Sequence, residues 1–177
     1  GLDPETDAIV EIASVDMVKG GGVTNRMMTY VDPGRPIPPT ASAVHHIIDE
    51  DVKGAPKLPE AIQQFMGADV CVAHNADFEK SFLAAGGVQF DKWLCTHKCA
   101  LRVWPELESH SNQALRYEFG LLRPFGYARE SISVHRAASD VIVTAAILEK
   151  LLGEVAWSDL VDWSSQPALY TRLHFGK

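Results

Sequence analysis

The chain has 177 residues, with 16 Lys and Arg against 23 Asp and Glu, a formal net charge of −7 with His neutral. That is the length of one domain able to bury a core, and 46% hydrophobic with 22% charged residues excludes a disordered polymer. The acid excess excludes a coating protein that holds long nucleic acid by charge alone, although not an enzyme that gathers carboxylates around metal ions.

No apolar run reaches the roughly 18 residues of a membrane span, and no secretory signal is read before the first strand. Three cysteines make no disulfide framework, so a soluble, cytoplasmic, reducing setting is expected.

In chain order, Ala8–Val18 is rich in β-branched residues and apolar on both alternating sets, which predicts a strand buried on both faces. Lys19–Gly22 is a turn, and Val23–Val31 is the partner strand of a hairpin. Asp32–Pro39 carries four prolines and is loop. A short helix is expected through Ala41–Ile47. A second is expected from Leu58, Ile62, Phe65 and Met66, which recur at i, i+4, i+7 and i+8. Asp69–Ala73 is a short strand that runs into His74-Asn75 and then a helix burying Phe78, Phe82 and Leu83. Lys92–Cys95 is a further strand, followed by a helix near Lys98–Trp104. Ser111–Phe119 is helical with Ser109 or Ser111 as cap, and Arg123–Ser133 is loop. Ala138, Val141, Ala145, Leu148 and Leu152 form the stripe of a last long helix over Ala137–Leu152. A hairpin followed by alternating helices and strands predicts an α/β fold, a mixed sheet flanked by helices.

Two segments carry chemistry. In Val70–Leu83 a buried strand ends at His74-Asn75, and the helix that starts at once aims Glu79, and Asp77 beside it, at that point. The plain alternative is that both acids only complement the positive end of the helix dipole. In His135–Asp140, a histidine precedes a helix whose first turn holds Asp140. Histidine is suited to accept a proton near neutral pH, and aspartate to ligate a hard cation such as Mg²⁺ or Mn²⁺. The plain alternative makes Ser139 or Asp140 a helix cap. Cys95-Thr96-His97-Lys98-Cys99 lacks the spacing of a structural zinc site, so Cys71 and Cys95 are expected as buried thiols.

Taken together the motifs resemble the DEDDh 3′–5′ exonucleases, an RNase H-like family. Its H-N-A-x-F-D motif reads His74-Asn75-Ala76-Asp77-Phe78-Glu79, and its H-x-x-x-x-D motif runs from His135 to Asp140. G-L-x-P-x-x-D-x-I-V-E-I-A reads from Gly1 to Ala13, and x-H-G-I-T-D-E appears as Val44-His45-His46-Ile47-Ile48-Asp49-Glu50. The resemblance covers roughly Gly1–Leu152. Cys95–Asn112 and Leu173–Lys177 look most like the exonuclease X-type branch, with 153–177 as a short extension after the nuclease domain.

Two departures stand out. The family's D-x-E-T-T-G motif lies on the first strand and supplies two of four metal-binding carboxylates. This sequence opens at the Gly of that motif, so the expectation is a longer protein in which the motif precedes Gly1. The alternative is a catalytically inactive 3′-end-binding or protein-interaction module of the same fold. Asp3-Pro4-Glu5-Thr6 mimics the motif but lies after its Gly, and Pro4 cannot donate to a sheet ladder. The second departure is Glu79 where most of the family has Asp.

The resemblance implies a two-metal hydrolysis of a 3′-terminal phosphodiester, with two Mg²⁺ or Mn²⁺ ions held by Glu79, Asp140 and the first-motif acids. His135 takes the proton from the attacking water. Leu2, His45, Asn75 and Phe78 would contact the terminal nucleotides, with plain packing on Phe82 as the alternative for Phe78. The implied partner is a nucleic-acid 3′ end, DNA ahead of RNA, and pairing into a homodimer is within the family's habit. The arginines, Arg102, Arg116 and Arg136 among them, are candidates for phosphate contacts without assigned roles.

Overall fold

The computed structural model describes residues 3–18, 22–121 and 136–169. Leu2, His135, the 19–21 part of the predicted turn and the predicted loop Arg123–Ser133 lie outside the described residues.

The hairpin is present. Strand β1 (Glu11–Val18) pairs antiparallel with β2 (Gly22–Tyr30), Glu11 opposite Tyr30, with a register shift between Ser14 and Asp16. β1 is half-buried rather than buried on both faces, and Val18 at its end is exposed. The reason is in the pairing: among the described residues only β2 lies alongside it. Helix α1 (Pro39–His45) ends where His46 takes a left-handed conformation, φ 59°. A short α2 (Asp49–Val52), not anticipated, starts with three acids on its first turn, which suits a helix N-terminus. The predicted helix from Leu58 divides into α3 (Leu58–Ala61) and a 3-10 turn at Ile62–Phe65. Gly67, at φ 107°, soon follows.

β3 (Cys71–Ala73) runs parallel to β4 (Trp93–Cys95), and helix α4 (Ala76–Ala85) makes the crossover between them. α5 (Thr96–Val103) follows β4 directly. α6 (Asn112–Phe119) is capped by Ser111, whose hydroxyl accepts from the Ala114 amide at 3.2 Å. α7 spans Ala137–Leu152 as the periodicity predicts. Its buried face is wider than the predicted stripe and includes Ile142, Val143, Ala146, Ile147 and Leu151, while Leu152 is exposed. α7 is the central beam, with both strand pairs and helices α5 and α6 packed around it, so most of its circumference is apolar.

The fold is therefore α/β, an antiparallel pair and a parallel pair flanked by helices. The core centres on Leu94, Cys99, Leu115, Val143, Ile147, Leu151 and Leu160. Leu160 belongs to an unanticipated helix, α8 (Trp157–Ser164), packed on β4 and α5. Its signal was present in the sequence: Trp157, Leu160, Val161 and Ser164 have helical spacing.

Candidate active site

β3 ends at Ala73, just before His74, and the chain turns sharply there because Asn75 adopts φ 67°, left-handed, before α4 begins. Asparagine tolerates that conformation better than most residues. His74 is fixed by two bonds, Nδ1 to Thr96 Oγ1 and Nε2 to the His110 carbonyl, both 2.9 Å. Burial pulls its pKa down to about 4, so the ring is neutral at pH 7. A carbonyl only accepts, so Nε2 carries the proton and Nδ1 accepts from the Thr96 hydroxyl.

The two acids of α4 have opposite surroundings. Asp77 is largely exposed and paired with Lys98 at 2.8 Å and Lys80 at 3.5 Å. The hydrogen bond from Lys98 holds its pKa below the usual carboxylate range. Glu79 turns inward. Its Oε2 is buried with no hydrogen-bond partner, and burial raises its pKa to about 7. It also faces Cys71, a thiol pushed up to about 11 first by burial and then by the Glu79 charge. Cys71 is only partly buried, contrary to the expectation for it, because β3 has one strand neighbour among the described residues; Cys95 is buried as expected. Phe78 leans on Phe82, ring centroids 4.7 Å apart, yet stays 36% exposed, so packing and a free ring face coexist. Asn75 is exposed at the turn.

The first turn of α7 is held from two sides. Glu11 of β1 has a side chain only 5% exposed. It accepts from Arg136 Nη2 at 2.7 Å, from Arg136 Nε at 3.1 Å and from the Ala137 amide at 2.7 Å. Arg136 also donates to the Tyr30 hydroxyl at 3.1 Å. From the other side, Gln113 Nε2 donates to Asp140 Oδ1 at 3.1 Å. The loop before α6 and the first turn of α6 join the two motifs, because His110 accepts from His74 and residues 112 and 113 reach Asp140. His45 is half-buried, and its Nδ1 accepts from the Ile47 amide at 3.1 Å. Burial lowers its pKa, and the Glu11 and Arg136 charges act on it with opposite sign.

Three arginines considered for phosphate binding are engaged elsewhere. Arg136 holds Glu11, Arg102 donates to the Lys98 and Pro167 carbonyls, and Arg116 is buried on Gln113. Among the described residues no group of three or more His, Cys, Asp or Glu converges as a metal cage. The residues present do fit a hard divalent cation. Glu79 and Asp140 carry oxygen donors of the kind that Mg²⁺ and Mn²⁺ take, and Glu79 Oε2 is buried with no hydrogen-bond partner.

A family model described as RNase_T, Exonuclease, matches residues 1–148. This chain belongs to the DEDDh 3′–5′ exonuclease family. Exodeoxyribonuclease 10 of Escherichia coli (strain K12) is 35% identical over 184 residues, covering 99% of this chain and 79% of that protein. DNA polymerase III subunit epsilon of Aquifex aeolicus (strain VF5) is 29% identical, covering 88% and 77%. A solved exonuclease X, in complex with 5′-overhanging duplex DNA, superposes with a TM-score of 0.79 at 34% identity and covers 93% of each chain. A 3′-exonuclease that recognises a histone mRNA stem-loop shares the fold, with a TM-score of 0.53 at 11% identity.

Within this exonuclease chain, sequence reading put forward Glu79 and Asp140 as metal ligands, His74 as a motif residue and Arg136 as a phosphate candidate, but did not foresee the contacts that Glu11, Arg136, His74, Lys98 and Gln113 make around them. Glu11 had a signal, an acid in an otherwise apolar strand. Gln113 had none, since an amide on a short helix reads as surface.

Proposed function

We propose that the protein is a metal-dependent 3′–5′ exonuclease that hydrolyses phosphodiester bonds at DNA 3′ ends and releases nucleoside monophosphates. The observation that carries this reading is Glu79, a carboxylate turned inward near Cys71, the first residue of β3, whose Oε2 is buried without a hydrogen-bond partner. Burying a charge without compensation is costly, and it makes sense where a cation supplies the missing partner. DNA is favoured over RNA because the 34% identical structural neighbour is described with duplex DNA.

Glu79 and Asp140 would hold the cations together with the two acids of the family's first motif, which these 177 residues do not contain. The bound ions, Mg²⁺ or Mn²⁺, supply the positive charge that offsets developing negative charge on the attacking and leaving oxygens. His135 would accept the proton of the attacking water. Phe78 offers a ring face for a terminal base or sugar, and stacking of that kind is tolerant of base identity. Asn75 and His45 would contact the terminal sugar or phosphate, and Leu2 would press against the terminal base. With its Nδ1 already accepting, neutral His45 has Nε2–H left as a donor toward such a group. The cytoplasm suits a protein whose three cysteines are all free thiols.

The test is digestion of 3′-labelled single- and double-stranded DNA and RNA with Mg²⁺ or Mn²⁺. It compares the 177-residue chain with a form in which an Asp-x-Glu-Thr-Thr strand is joined directly before Gly1. The motif-completed form is expected to release mononucleotides from DNA 3′ ends, and the 177-residue chain to be nearly inactive. His135→Ala in the active form should lower the rate by about 10²–10⁴-fold. A motif-completed chain that binds 3′ ends without cleaving them would support the non-catalytic reading instead.

A further inference from the structure

Asp140 lies on α7, but its carboxylate is contacted from α6. Gln113 Nε2 donates to Asp140 Oδ1 at 3.1 Å, and to Asn112 Oδ1 at 3.2 Å. A glutamine amide can present either its oxygen or its nitrogen, and the two orientations fill the same space. Here the choice is forced from behind. Arg116 is buried, 5% exposed, and its Nη1 donates to Gln113 Oε1 at 3.1 Å. A guanidinium has donors and no acceptor, so it takes the oxygen side of the amide and turns the NH₂ toward Asp140. Asn112 reinforces the same junction by donating to Thr144 Oγ1 at 2.9 Å, while Thr144 donates to the Asp140 carbonyl at 3.0 Å. Both amide nitrogens thus converge on one residue and its helical turn.

We propose that Gln113, locked by Arg116, is a positioning residue that holds the Asp140 carboxylate in its metal-binding orientation. It does not touch substrate or ion. Its contribution is pre-organisation: an aspartate already confined by a hydrogen bond to one oxygen loses less freedom when the ion arrives. A donor on that oxygen also steadies the carboxylate beside the negative charge of its neighbours in the site. The reading depends on Asp140 being a metal ligand, as proposed above.

The experiment is a Mn²⁺ titration followed by the electron paramagnetic resonance signal of the free ion. It uses the 177-residue chain and its motif-completed form, each unaltered and with Gln113→Met, Asp140→Asn or Glu79→Gln. Methionine keeps the length of glutamine and removes both the donor and the acceptor. Gln113→Met should raise the Mn²⁺ dissociation constant about tenfold, with the far-UV circular dichroism of the metal-free protein unchanged even though its melting temperature falls as buried Arg116 loses the Gln113 acceptor. In the motif-completed form at limiting Mn²⁺ the nuclease rate should fall. Excess Mn²⁺ should restore kcat while KM for DNA stays put, which a merely structural defect would not do. If Asp140→Asn and Glu79→Gln lose Mn²⁺ but Gln113→Met binds it as tightly as the unaltered protein, the role of Gln113 is overturned and the site stands. A rate loss in Gln113→Met that excess Mn²⁺ leaves unrepaired also overturns that role. If the unaltered protein takes up no Mn²⁺, or the two carboxylate variants take up as much, the metal site itself is wrong and this role falls with it.

Discussion

The first turns of α4 and α7 each carry one of the two carboxylates assigned to metal, and they are built on opposite principles. At α7 the polar groups are tied to other parts of the protein: Glu11 clamps Arg136 and the Ala137 amide, and Gln113 holds Asp140. At α4 the outward acid is satisfied and the inward one is not. Asp77 has two lysines, whereas Glu79 keeps a buried oxygen without a partner. The difference separates two uses of an acid near a helix start. One fixes geometry and is worth stability. The other buries an oxygen without a partner, which costs stability, and it is the feature on which the proposed metal role rests.

The sharpest way to break the contrast is to remove the clamp. Glu11→Gln leaves Arg136 without its anionic partner and weakens the link between β1 and the start of α7. Breaking a largely buried pair from one side should cost about 3 kcal/mol, seen as a lower urea midpoint. If stability is unchanged, the α7 start is not held in the way described.

A pH series probes the α4 side next. His74 has its pKa lowered by burial to about 4 in the folded protein, against 6.5 for the unperturbed ring. Between those values the unfolded chain binds the proton and the folded one does not. The contribution of His74 to stability should therefore be fully present above pH 6.5 and fall by roughly 2–3 kcal/mol as the pH drops toward 4. Glu79, its pKa raised by burial to about 7, works in the opposite direction over the same range, so the slope is read in a Glu79→Gln background. His97, lowered mainly by burial, acts in the same direction. His74→Gln should flatten much of that slope; an unchanged slope would mean that His74 titrates normally.

How much of this was legible beforehand follows the range of the physics. Elements set by local period and turn chemistry could be read. α7 was placed closely because its apolar repeat runs over four turns, and of the two candidate caps for α6, Ser109 and Ser111, it is Ser111 that caps it. Glu79 and Asp140 could be put forward because their motifs are short and contiguous. Long-range partners could not be read: Arg136 meets Glu11 across 125 positions, and Lys98 meets the Ser164 carbonyl across 66. Nothing local distinguishes such residues from solvated ones. The orientation of Glu79 against Asp77, two positions apart on one helix, also needed the structure, since the lysine that claims Asp77 comes from α5.

Glu79→Gln sharpens the contrast in the opposite direction from Glu11→Gln. With no metal present at pH 8, neutralising a carboxylate whose Oε2 is buried without a partner should stabilise the protein, by about 1–2 kcal/mol. Thermal melts of the motif-completed form would show the gain. Mn²⁺ should erase it, because the ion stabilises only the form that binds it. A destabilised variant would mean that Glu79 has a structural partner after all.

The smallest effect is expected at Asp77, and it decides which acid of α4 belongs to the site. Asp77 is 59% exposed in its side chain, and Lys98 keeps a second acceptor in the Ser164 carbonyl. Lys98 is largely buried, its side chain 11% exposed, but Asn keeps an oxygen to accept from it, so Asp77→Asn should cost about 1 kcal/mol and leave the nuclease rate and Mn²⁺ affinity of the motif-completed form unchanged. Glu79 is one methylene longer than the aspartate usual at its position, so the shorter Asp77 is the natural rival for the ion. If Asp77→Asn abolished Mn²⁺ binding while Glu79→Gln spared it, the carboxylate that meets the metal would be the one now paired with Lys98. That pair would then have to open before the site could load.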